Sequence, residues 1–81
     1  MNRAGVAEVV VRTITEILPD VPAGAVREDR SLRDLGADSV ERVEIITLLT
    51  HRLGRTDPLS GFAAIPDLGA LIDHLSQEEL Q

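Results

Sequence analysis

The 81-residue chain carries fourteen acidic residues against eight basic ones, a formal net charge of −6, no cysteine and a single aromatic, Phe62. A chain of this length supports one small core, and its excess of acid argues against nucleic acid or anionic membrane as main partner and for basic patches on proteins. Without cysteine there is neither a disulfide nor a thiolate zinc site, and any thiol chemistry has to come from an attached group.

Near the N-terminus an arginine precedes the apolar run Ala4 to Val11, which Glu8 interrupts, so the segment reads as neither signal peptide nor membrane span. Val6, Val10, Ile14 and Ile17 recur at helical spacing and predict a helix over 3–18. The local run Val9-Val10-Val11 favours a strand, but no alternation follows it. Pro19 and Pro22 end the helix.

Residues 19–38 then form a long connection. Val21, Val26, Leu32 and Leu35 can pin it to the core, and Ser31 to Leu35 can make a single helical turn. Arg27, Arg30 and Arg33 recur every third residue with Glu28, Asp29 and Asp34 among them, which describes a self-compensating solvated loop better than an anion site.

A second helix is predicted from Ser39 to Leu53. Its apolar residues Val43, Ile45, Ile46, Leu48, Leu49 and Leu53 span more than a stripe, so it should pack against several neighbours. Gly36 supplies a turn before it, and Gly54 a stop after it. Asp57 to Phe62 reads as a short helix or turn with Pro58 in its first position. Pro66 and Asp67 open a last helix whose apolar face is Leu68, Leu71, Ile72 and Leu75, and Ser76 to Gln81 is polar and expected to fray. The fold class is all-α: a small four-helix bundle of three main helices and one short one, with a long loop between helices one and two, in a single domain over residues 1–81.

Chemistry concentrates at Leu35-Gly36-Ala37-Asp38-Ser39-Val40-Glu41. Asp38 is a good N-cap, and Glu41 three residues on completes a capping-box pattern. Ser39 is then the first helical residue, beside free N–H groups and the positive end of the helix dipole, where a phosphate is favoured. The same residues are equally explained if Ser39 does no more than help start a helix. His51 and His74 lack partners at metal or triad spacing and read as surface residues on helix flanks, and no acid–histidine pair is placed to activate a serine. Nothing here reads as an enzyme.

At Gly36-Ala37-Asp38-Ser39-Val40 the chain resembles the acyl carrier protein family, whose Gly-x-Asp-Ser-hydrophobic run opens a central helix. The resemblance implies that Ser39 carries 4′-phosphopantetheine, transferred from coenzyme A by a separate phosphopantetheinyl transferase. Asp38, Val40, Glu41, Arg42 and Glu44 are the candidate surface for partner recognition, where the acids suit basic patches. Asp38 and Glu41 are equally explained as cap and capping partner, Glu44 as a solvated residue, and Val40 either packs inward or meets a partner. The continuation Thr47-Leu48-Leu49-Thr50-His51-Arg52, together with Arg42 three residues after the serine, departs from fatty-acid carriers. The chain is more similar to the donor carriers of polyketide β-branching cassettes. On that resemblance it takes malonyl from an acyltransferase, and a decarboxylating ketosynthase-like enzyme leaves acetyl. The acetyl then passes to a 3-hydroxy-3-methylglutaryl-CoA synthase-like enzyme. The expected state is a cytoplasmic monomer. A general polyketide, fatty-acid or aminoacyl carrier, or an unmodified interaction module, remains open. Arg42 is either a selectivity contact or one half of an intrahelical pair with Asp38.

Overall fold

The computed structural model describes residues 2–56, 59–62 and 64–76. Three helices are present: α1 (Arg3–Ile17), α2 (Ser39–Arg52) and α3 (Leu68–Ser76). Two 3₁₀ turns, Ala23–Ala25 and Leu59–Phe62, lie in the connections, and no strand occurs among the described residues. This is the expected all-helical bundle, with Leu59–Phe62 as its short member. The expected positions of Asp57 and Pro58 and the fraying of 77–81 fall outside the described residues.

In α1 the helical spacing prevails over the valine run. Val6, Val10, Thr13 and Ile14 are buried together on one helix face, whereas a strand would turn Thr13 away from the other three. Leu18 closes the helix one residue earlier than expected, its N–H bonding to Ile14 ahead of Pro19. The helix start has a cap that the spacing did not flag: Asn2 accepts from the Gly5 amide at 2.8 Å. The core joins this stripe to Ile45, Ile46 and Leu49 of α2 and to Leu68, Leu71, Ile72 and Leu75 of α3. Thr13 is fully buried in it, and its hydroxyl accepts from Arg52 Nη1 at 2.9 Å. Arg52 also forks onto Glu16, at 2.6 and 3.3 Å, so this basic residue of α2 ties α2 to α1.

The long first connection is held by backbone as well as by side chains. Carbonyls of Arg30 and Glu28 accept from the Leu68 and Gly69 amides at 2.8 and 2.9 Å, and Asp67 Oδ1 accepts from Ala70 at 2.8 Å. The first turn of α3 is thus sealed by the loop, so the loop has to follow α3 closely. A Cβ on Gly69 would stand 3.2 Å from Glu28 Cβ. Arg27 pairs with Asp29 within the loop, as expected of a self-compensating segment. Glu28, by contrast, takes a bidentate bond from Arg3 at 2.7 and 3.0 Å, and Arg3 Nε also reaches Asp73. One arginine therefore staples α1, the loop and α3.

The Arg3 hydrogen bonds hold the Glu28 carboxyl below its ordinary value, and those of Arg52 do the same for Glu16. A depressed carboxylate stabilises the fold above its unfolded pKa, near 4.5, and loses that contribution as pH falls through the lower folded value. Denaturation midpoints should therefore fall as pH is taken below about 4.5. Glu28→Gln or high salt should flatten the fall, because these pairs are solvent-exposed.

Candidate functional site

The site begins with a chain reversal. Ser31 and Asp34 cap each other reciprocally: each backbone amide donates to the other's side-chain oxygen at 3.0 Å. One turn later the Gly36 amide donates to the Arg33 carbonyl at 2.9 Å, and the Ala37 amide to the Leu32 carbonyl at 3.1 Å. That pair of bonds is a Schellman-type helix end, and it needs a left-handed residue, supplied by Gly36 at φ 93°. Ala37, next in the chain, is buried. The single turn expected at 31–35 thus forms, begun by a side-chain cap and ended by a glycine.

Asp38 then opens α2 from extended backbone, φ −81° and ψ −178°. Its Oδ1 accepts from the Glu41 amide at 2.7 Å, and Glu41 Oε1 accepts from the Asp38 amide at 3.0 Å, completing the capping box. Ser39 is the first residue of α2 and is exposed. No described residue accepts from the Ser39 or Val40 amide, whereas the first amides of α3 are all taken. The start of α2 therefore keeps donors and a positive dipole end for an anion on Ser39.

Ser39 also borders a cleft of about 640 Å³. Leu32, Val43, Ile46, Phe62, Ile65 and Leu71 give it an apolar lining, and Ser31, Arg33, Ser39, Arg42 and Asp67 are its polar members. Sequence reasoning missed this cleft, although Ser39, Val43 and Ile46 at i, i+4 and i+7 already share a helix face. Val43 was expected to pack among neighbours but is half exposed, because it faces the cleft.

The expected recognition residues divide. Asp38, Val40 and Glu44 are exposed, Val40 to 67%. Glu41 and Arg42 are half-buried and engaged. The intrahelical pair of Arg42 with Asp38 is not formed. The aspartate is turned to the Glu41 amide, and Arg42 Nη1 donates instead to the Ala37 carbonyl at 3.1 Å.

His51 is too far from Ser39 to serve it as a base. His51 stands twelve residues along α2, about 18 Å down its axis. His74 is half-buried, not at the surface as expected, with its ring edge-on to Phe62 at 5.1 Å between centroids. No side chain among the described residues is hydrogen-bonded to the Ser39 hydroxyl, which suits a residue modified by another enzyme.

The chain matches the phosphopantetheine attachment site family over residues 8–75. It is 32% identical over 75 residues to the polyketide biosynthesis acyl-carrier-protein AcpK of Bacillus subtilis, covering 93% of this chain and 92% of that one. It is also 32% identical over 80 residues to 5-methylorsellinic acid synthase of Aspergillus terreus, covering 94% of this chain but 3% of the synthase. No solved structure matches it.

Three substitutions test the local geometry. Gly36→Ala should cost about 1–2 kcal/mol in urea denaturation, because a Cβ is strained at positive φ. Gly24→Ala, with open space and no positive φ, should be neutral or mildly stabilising. Asp38→Ala should cost about 1 kcal/mol through loss of the cap.

Proposed function

This chain belongs to the acyl carrier proteins, and from that premise we propose that Ser39 bears the 4′-phosphopantetheine arm and that the carrier donates acetyl units in polyketide β-branching. It is a carrier rather than a catalyst, in keeping with a family defined by covalent attachment of the arm. The observation that carries the assignment of Ser39 is its place: exposed, first in α2 behind the Asp38 cap, and beside an apolar cleft. The arm's phosphate then meets unsatisfied amides, and its thioester end has an apolar surface within reach.

The polyketide setting is that of the Bacillus subtilis relative, named as a polyketide biosynthesis carrier. In the donor role a malonyl thioester on the arm loses carbon dioxide and takes up a proton, leaving acetyl. A 3-hydroxy-3-methylglutaryl-CoA synthase-like enzyme then joins that acetyl to the β-ketone of a chain held on another carrier. Asp38, Val40, Glu41, Arg42 and Glu44 are the proposed recognition surface, with Val40 and the exposed acids meeting apolar and basic patches on these enzymes. The likeness to a short part of a protein named as a synthase leaves one second reading, a general extension carrier that hands malonyl directly to a condensing enzyme.

Reconstitution separates them. The arm-bearing protein is charged with malonyl and offered to a decarboxylating ketosynthase-like enzyme, then to a synthase of the β-branching type and, separately, to an extending ketosynthase. A donor carrier should accumulate acetyl and discharge it to the branching synthase at least tenfold faster than to the extending enzyme. Malonyl consumed by the extending ketosynthase, with no transfer to the branching synthase, would establish the general carrier instead.

A further inference from the structure

We propose that Arg42 and Arg33 grip the phosphodiester that joins the arm to Ser39, so that the arm leaves the protein along the cleft rather than straight into solvent. The proposal rests on attachment at Ser39 and goes beyond it.

Position comes first. Arg42 lies three residues after Ser39, where side chains on a helix are neighbours. Arg33 comes from the preceding turn and lines the same cleft as Ser39 and Arg42. Ser39 therefore shares one cleft with two cations that belong to separate elements.

Charge comes second. Arg3 and Arg52 are committed to Glu28, Asp73 and Glu16. Arg33 and Arg42 have no described carboxylate within ion-pairing distance. The acids around the site are already occupied by backbone amides: Asp34 by Ser31, Asp38 by Glu41, Glu41 by Asp38, and Asp67 by Ala70. Arg42 spends Nη1 on the Ala37 carbonyl, which leaves Nε and Nη2 to donate. A phosphodiester added next to Asp38 and Glu41 in a chain of net charge −6 meets repulsion that these guanidinium groups would offset.

Chemistry comes third. The two non-bridging oxygens of a phosphodiester match the planar fork of a guanidinium. Arg42 is half-buried and anchored, so little of its freedom remains to be lost on binding. Covalent attachment holds the phosphate at high effective concentration, so even a weak contact is populated. The free amides at the start of α2 contribute as well, but they remain when the arginines are removed. A contribution that depends on arginine is therefore separable from theirs.

The test compares the arm-free and arm-bearing forms of the full chain as wild type, Arg42→Gln and Arg33→Gln, with arm addition checked by intact mass. The readouts are the difference in melting temperature between the two forms, at low and high salt, and the phosphorus-31 resonance of the arm. In wild type the arm should raise the melting temperature by a few degrees at low salt and by less at high salt. Each variant should lose half or more of that gain and shift the resonance. Arg42→Gln also removes the bond to Ala37, but that loss is common to both forms and cancels in the difference. The same gain and the same resonance in all three proteins would overturn the grip while leaving Ser39 as the attachment site. Failure of wild type to take an arm would overturn the attachment itself, and the grip with it.

Discussion

The structure depends on a backbone constraint between Leu35 and Asp38: one helical turn has to end and the next helix begin within a few residues. Ending the turn leaves carbonyls of Leu32 and Arg33 to be satisfied, and the amides of Ala37 and Gly36 do so only because Gly36 adopts positive φ. Starting α2 leaves free amides, and Asp38 satisfies that of Glu41 but not those of Ser39 and Val40. The serine is thus set at a helix start that is firmly capped yet has donors to spare. The buried methyl of Ala37 holds the reversal against the core from below.

The rest of the fold serves that start by fixing what faces it. The loop backbone occupies the first amides of α3, so α3 has no equivalent anion site. Arg3 keeps the loop against both α1 and α3, while Arg52 and Thr13 hold α1 to α2. With these elements in place, the Leu59–Phe62 turn and α3 bring Phe62 and Leu71 opposite Val43 and Ile46 across the cleft beside Ser39.

Much of this was legible in the sequence because it is local. Helical spacing gave α1, α2 and α3 to within a residue or two, and the Asp38–Glu41 box and the turn at Ser31–Leu35 followed from side chains close in the chain. What was not legible is long-range. Nothing in the spacing of the loop arginines indicates that Glu28 turns to Arg3, 25 residues away, or that Arg3 also holds Asp73, 70 residues away. The cleft arises from facing elements rather than from any one of them. Arg42 was read on its own helix, four residues after Asp38, but the capping role of the aspartate takes that partner away. His74 looked like a flank residue until Phe62 was brought against it.

The central claim is that the capped start of α2 makes Ser39 the attachment point. Its most direct measurement is residue-level mapping by tandem mass spectrometry, after incubation of the folded protein with a broad-specificity phosphopantetheinyl transferase and coenzyme A. The account predicts a single arm, on Ser39, and none on Ser39→Ala. An arm on Ser31, or a folded wild-type protein that takes no arm, would contradict it.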